Sequence, residues 1–268
     1  MVSFRAASAE AMAALTDKLG GVAEASAAKV ADDLFAAART LRSEGALRRF
    51  VTDQSVAAPA RAGLVGDVFA GKVDPAAAEL LSAAVAARWT RSRDLPDALE
   101  QLGVVAAVRS VGAQAETLVD ELFGVRQLVK QNSDLRNALS DPARSAADKS
   151  ALLDTLLGGK VLPATVQLVR QSLSGSYRTV TAALEAYERT AADVHGESVA
   201  TVHVARPLDE RAQQRLNTAL SRQYGRSVHL NVVVDPAVIG GIRVEIGHDV
   251  IDGTVSSRLD DARRKIAG

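Results

Sequence analysis

Over residues 1 to about 190 the apolar side chains return every three or four positions, the spacing of one helix face, and over the last 75 or so they alternate. Leu118, Leu122, Val125 and Val129 form one such helical face. From His195 onward the period becomes two: Ala200, Val202 and Val204 alternate with Thr201 and His203, which predicts a strand. Asp209 stands where it can cap a helix whose Ala212, Leu216, Leu220 and Tyr224 share a stripe, and Gly225 where it can end it. Val228, Leu230, Val232 and Val234 alternate in a second strand closed by Asp235-Pro236, and Ile242, Val244 and Ile246 in a third. A turn at Gly247-His248-Asp249 leads to a short fourth strand, Val250-Ile251-Asp252. The last helix carries Val255, Leu259, Ala262 and Ile266 inward, with Arg263, Arg264 and Lys265 in its final turn, where cations suit the helix dipole. The fold class that follows is mainly α with a small α+β C-terminal domain, in the order strand, helix, strands, helix.

The helical part repeats itself. Displaced by 88 positions, residues 47–81 align without gaps on 135–169, with eleven of 35 positions identical. The densest match sets Gly71-Lys72-Val73, Pro75 and Ala76 against Gly159-Lys160-Val161, Pro163 and Ala164. Alanine-rich helices match by chance, but a Gly-Lys-Val-x-Pro turn in the same register is a stronger sign of duplication. Each copy reads as helix, polar turn, helix, Gly-containing turn, then Pro near the start of the next helix. Two related helical-bundle modules, 1–110 and 111–191, are therefore expected before the domain at 192–268. Between the copies, Asp97 to Ser140 contains no proline and reads either as one long helix or, because Gly103, Gly112 and Gly124 each weaken it, as a bent one.

Composition narrows the function. Apolar residues make up 47% and charged residues 24%, ordinary globular usage, while aromatics contribute only 3% and alanine is abundant, as in thin, closely packed helices. The 32 basic and 32 acidic residues cancel, so no global field draws the chain to nucleic acid or anionic lipid. Without cysteine there is no disulfide, thiol nucleophile or cysteine-ligated metal. The start MVSFRAASAEAMAAL lacks the basic segment and unbroken apolar run of a signal peptide, and no stretch approaches ~18 consecutive apolar residues, so membrane association is expected only through partners.

Chemistry-bearing patterns are weak throughout. Gly66 to Lys72 matches the first seven positions of a phosphate-binding loop, but Val73 stands where a hydroxyl must ligate magnesium. The segment also lies between two helices instead of following a strand, and the second copy has Asp154 in place of the first glycine. His195, His203, His229 and His248 offer no pair on one helical face for a metal. The adjacent acids Asp32-Asp33 and Asp260-Asp261 are splayed on a helix and read as solvated faces. No cofactor, metal or catalytic residue is expected.

The stretch VVVDPAVIGGIRVEIGHDVIDGTVSSRL, residues 232–259, resembles the signature of the ATP synthase delta subunit family, whose mitochondrial branch is the oligomycin-sensitivity-conferring protein. Asp235, Gly240, Gly241, Val250, Ile251, Asp252, Gly253, Arg258 and Leu259 carry the match, with Val238 and Ile239 as its apolar pair. These residues also have a structural reading: Gly241 permits close backbone approach, and Asp252 or Thr254 caps the last helix. Similarity continues upstream through residues 206–231, and residues of about 115–190 resemble the family's N-terminal helical bundle by pattern. Residues 1 to about 110 depart from it and look like the extra helical copy of lengthened relatives.

The resemblance implies a non-catalytic connector in the peripheral stalk. In it the bundle would grip the N-terminal segments of alpha subunits and the C-terminal domain would meet a b-type stalk subunit, with one copy per complex at the cytoplasmic face of the bacterial membrane. The alternative is a free-standing helical adaptor or scaffold that carries a delta-type terminal domain. Co-purification with alpha, beta and b-type subunits separates the two.

Overall fold

The computed structural model describes residues 4–247 and 249–255. The chain divides into two compact units, Met1–Ala191 and Ala192–Gly268. In the first, α1 (Ala7–Gly20), α2 (Glu24–Ser43), α3 (Gly45–Thr52), α4 (Ala58–Phe69) and α5 (Pro75–Ala86) lead to α6 (Asp94–Arg109). A single 3-10 turn, Gly112–Gln114, precedes α7 (Ala115–Gln131), α8 (Ser133–Ser140), α9 (Ala146–Leu157), α10 (Pro163–Gln171) and α11 (Val180–Val194). Local chemistry sets several of these ends. The Asp74 carboxylate accepts the Ala76 N–H at 2.8 Å ahead of Pro75, Asn132 accepts from Leu135 at 3.0 Å, and Ser145 accepts from Asp148 at 3.1 Å.

The 88-residue displacement holds for the elements themselves. It carries α2 onto Gly112–Gln131, α3 onto α8, α4 onto α9 and the start of α5 onto that of α10. The same displacement carries α1 onto residues 95–108, within α6, and α6 onto 182–197, most of which is α11. So α6 has two counterparts: it corresponds to α1 as an opening helix and to α11 as a closing one. Every buried residue of α7, namely Ala115, Leu118, Val119, Leu122, Val125, Arg126 and Val129, falls on a buried residue of α2. Gly71 and Gly159, φ +66° and +70°, make the same left-handed turn. The Lys72 and Lys160 ammonium groups each donate to the carbonyl four residues back, Val68 and Leu156, at 3.0 Å.

Helix α6 packs against α1, α2 and α5 as well as α7 and α10, and is buried on all sides, its run Leu102 to Val108 included. From Leu102 to Val108 the helix is apolar all round, the sequence form of that position. The span 97–140 is not one helix. Its direction turns by 105° between α6 and the Gly112–Gln131 segment, at Gly112, whose φ of +48° a side chain rarely adopts. Gly103 lies inside α6 against the Phe35 ring, 2.5 Å from where a Cβ would stand, and Gly124 sits in α7 with open space around it. Among the described residues no single helix is long and apolar enough to cross a membrane.

In the second unit β1 (Ser198–Val204), α12 (Glu210–Tyr224), β2 (Val228–Val234), β3 (Ile242–Ile246) and β4 (Asp249–Asp252) form a sheet in the order β2-β1-β3-β4. β1 and β2 are parallel, Val202 opposite Val232, and α12 makes their crossover; β1–β3 and β3–β4 are antiparallel. Ala200, Val202, Val204, Val228, Val244 and Ile246 bury one face of the sheet with Leu220, and Leu216 and Tyr224 of α12 pack against it. Asp209 caps α12 by accepting from Ala212 at 2.7 Å, and Gly225, φ +68°, ends it. The helix read from Val255 to Ile266 lies outside the described residues from 256 onward.

Candidate functional surfaces

One expectation is overturned at Asp33. It is 5% exposed, not solvated: its Oδ2 accepts the Asp74 N–H at 2.7 Å and its Oδ1 pairs with Lys29, while Asp32 stays exposed. Adjacent residues on a helix point about 100° apart, so one acid of the pair can face the α5 N-terminus while the other faces water. Asp33 thereby satisfies a helix-start N–H and sits at the positive end of the α5 dipole. Glu121, 88 residues on, does the same for α10: its Oε2 accepts the Leu162 N–H at 2.8 Å and also takes the Thr165 hydroxyl.

A fully buried carboxylate recurs at the same interval. Glu100 on α6 and Glu188 on α11 are 2% and 1% exposed. Glu100 pairs with Arg42 of α2, accepts the Tyr187 hydroxyl at 2.7 Å and takes the Ser176 N–H at 2.9 Å, so it joins α2 and α6 to the approach to α11. Burial, and then the negative charge of Glu100, raise the Tyr187 phenol well above its usual range, and the same two causes push Tyr177 up to about 12. Glu188 pairs with Arg126 of α7, Nε to Oε2 at 3.0 Å, with both side chains nearly inaccessible. Periodicity reads Asp33 as solvated and gives no sign of Glu121, Glu100 or Glu188 as buried or bridging groups. The available signal was the repeat interval itself, which pairs each acid with an acid.

A cleft of about 620 Å³ opens between α2 and α10, lined among others by Ala28, Asp32, Phe35, Arg39, Gln167 and Arg170. Two hydrogen bonds tie its walls: Gln167 donates to the Ala28 carbonyl at 2.9 Å and Arg39 to Gln171 at 3.2 Å.

The structure gathers most of the signature at one end of the sheet. The Asp235 N–H donates to the Val204 carbonyl at 2.8 Å, and the Asp235 carboxylate accepts the Ala237 N–H at 2.9 Å, which turns the chain out of β2. Gly240 and Gly241 follow at φ +64° and +79°. A Cβ on Gly241 would stand 2.9 Å from Thr254 Cα and closer still to the Gly253 carbonyl oxygen; one on Gly240 would stand 3.1 Å from Val255. Gly253 donates to the Ile242 carbonyl at 2.9 Å, and Asp252 accepts the Thr254 N–H at 2.9 Å. Hydrogen bonds from the Thr254 side chain and backbone hold the Asp252 carboxyl below its usual range, and Arg243 adds to this. Val250 and Ile251 lie on the edge strand β4, 56% and 37% exposed; Ile239 and Val255 are also exposed, and the Val255 N–H donates to the Ile239 carbonyl at 3.2 Å. Arg258 and Leu259 lie outside the described residues.

The phosphate-loop look-alike has no cradle. Gly66 to Phe69 are the last turn of α4, and Lys72 is spent on the Val68 carbonyl. Among the described residues no three His, Asp or Glu side chains converge as metal ligands. What the molecule offers is surfaces and buried clamps between helices.

Comparison with known proteins agrees with that picture. The family model described as the ATP synthase delta (OSCP) subunit matches residues 105–266. A Nocardioides protein named ATP synthase subunit delta is 56% identical over 99% of this chain and 98% of its own. The Kineococcus radiotolerans protein of that name is 43% identical over 91% and 90%, and that of Streptomyces avermitilis 39% over 97% and 98%. The family model leaves out most of the first helical copy, whereas these relatives align through it. On the matched residues and the full-length relatives, the chain belongs to the ATP synthase delta (OSCP) subunit family, whose members are structural, non-catalytic parts of the ATP synthase peripheral stalk.

Proposed function

We propose that the chain holds the catalytic head to the stalk through two kinds of surface. The observation that carries this reading is the full-length similarity to delta subunits, joined to a molecule made of two separate units. The helical unit is two interlocked copies of one bundle, α1–α6 and α6–α11, that share α6. They extend the modules 1–110 and 111–191, the second taking α6 as its opening helix, and the recurrence at 88 residues of helix bounds and of the helix-start acids Asp33 and Glu121 supports this reading. Grooves between such helices accept the apolar face of an amphipathic helix, which suits the N-terminal segment of an alpha subunit. Residues 192–268 attach to the b-type stalk, with the signature residues Asp235, Gly240, Gly241, Val250, Ile251, Asp252, Gly253, Arg258 and Leu259 shaping that unit.

In this arrangement the chain resists torque. A rotating shaft would otherwise drag the head with it, and proton flow would not drive synthesis. The chain acts in one copy per complex at the cytoplasmic face of the bacterial membrane, held there by its partners. Tagged chain at native expression should bring down alpha, beta and b-type subunits. Its recovery without them would return the reading to a free-standing adaptor.

A further inference from the structure

Helix α12 carries a row of cations that the fold does not use. At about 100° per residue, Arg211, Arg215 and Arg222 fall within ~40° of one another, on the side opposite the Leu216–Leu220 stripe. From Arg211 to Arg222 the row runs three turns, ~17 Å. All three are exposed, and among the described residues none forms an ion pair. The nearby acid Asp209 is committed to capping Ala212.

Several arginines elsewhere are matched, Arg42 with Asp97 and Glu100, Arg126 with Glu188, Arg170 with Asp154, Arg226 with Asp193, and others, Arg61 and Arg109 among them, donate to main-chain carbonyls; the α12 row is set apart by its alignment on one face. Between the arginines lie Gln214, Thr218 and Ala219, short or uncharged side chains that leave an open depression along the row. Arg211 and Arg215 stand at i and i+4, where like charges disfavour the helix slightly.

We infer that this face of α12 docks an acidic helical segment of a partner chain, whose carboxylates recur at helical spacing. A guanidinium is fully charged at any physiological pH and pairs with two carboxylate oxygens at once, so a straight row of three selects a row of acids by geometry as well as charge. A helix is the matching occupant because only there do side chains i, i+4 and i+11 line up on one edge. The inference goes beyond the stalk assignment, since it concerns the chemistry of the bound segment and holds for whichever chain supplies it.

The test uses the full-length protein and fluorescent synthetic helical peptides bearing either glutamates or glutamines at i, i+4 and i+11, titrated by anisotropy. The glutamate peptide should bind, the glutamine peptide should not, and the dissociation constant should rise about tenfold or more as salt increases from ~50 to ~300 mM. R211Q/R215Q/R222Q should weaken binding about tenfold or more with an unchanged circular dichroism melt. R211E/R215E/R222E should instead capture a lysine-bearing version of the peptide. Equal binding of the glutamate and glutamine peptides, or unchanged binding by the arginine-to-glutamine variant, overturns the inference. So does capture of the protein through this row by phosphatidylglycerol vesicles or duplex DNA in preference to the peptide. Neither result touches co-purification with alpha, beta and b-type subunits, which tests the proposed function separately.

Discussion

Gly241 combines a left-handed φ of +79° with backbone packed where its Cβ would be. Backbone strain at such a site costs about 1–3 kcal/mol for a residue with a side chain, and the clash with Gly253 and Thr254 adds to it. Gly241→Val should therefore lower the melting transition of the sheet unit, followed by circular dichroism; an unchanged melt would mean the glycine pair is not constrained. Glu188 poses the opposite problem, a buried charge whose partner holds it there. Glu188→Ala leaves Arg126 buried without its carboxylate and should cost about 3–5 kcal/mol, whereas Arg126→Met with Glu188→Leu should be close to neutral. Equal losses in the single and double variants would assign the effect to packing. Asp252, with its carboxyl lowered by Thr254, stabilises the fold above the ordinary carboxylate range and loses that contribution as pH falls through the lowered value. Asp252→Asn should flatten the acid limb of stability below about pH 4, and an unaltered limb would remove Asp252 from it.

Among the elements, α6 carries the most consequence. A helix packed against α1, α2, α5, α7 and α10 has no free solvent face, and Leu95, Leu99, Leu102, Ala106 and Val108 are all fully buried. After it the chain turns by 105° into the Gly112–Gln131 segment. Gly112 makes that turn with a φ of +48° and its Cβ position filled by the Glu24 carboxylate, so Gly112→Ala should destabilise the helical unit by about 1–3 kcal/mol. Gly124 is an ordinary helical glycine in open space, and Gly124→Ala should stabilise by about 0.5–1 kcal/mol. Melts that moved together, both up or both down, would contradict this assignment of the bend.

At the scale of the molecule, the two units have separate cores: Leu34, Leu80, Leu99, Leu118 and Leu122 in one, Ala200, Val202, Val244 and Leu220 in the other. A unit with its own core keeps its fold when the other is removed. Deleting 192–268 should leave the helical circular dichroism signal and binding of an alpha N-terminal peptide nearly intact. It should abolish stalk binding and proton pumping by reconstituted membranes while hydrolysis by the head continues. Loss of the peptide from a still-helical truncated chain, or surviving coupled pumping, would defeat the proposed division of labour.

Periodicity and local cap residues determined the change from helices to a sheet near residue 192, the strand faces and the capped α12, because each depends on neighbours within a few turns, and residue identities at a fixed displacement exposed the repeat at 88. The signature identified the family because its turns and close approaches restrict which residues fit. Tertiary structure decided the rest. That Asp33 faces a helix start, that Glu100 and Glu188 are buried, and that the span 97–140 turns at Gly112 all depend on groups distant in the chain. A polar residue on a helix reads as solvated until a distant N–H or guanidinium reaches it, and a glycine reads as a weak helix former until packing makes it a corner. Helix existence is a local free energy, but the choice of which apolar stripes meet, and which acids they enclose, is made only when the whole bundle closes.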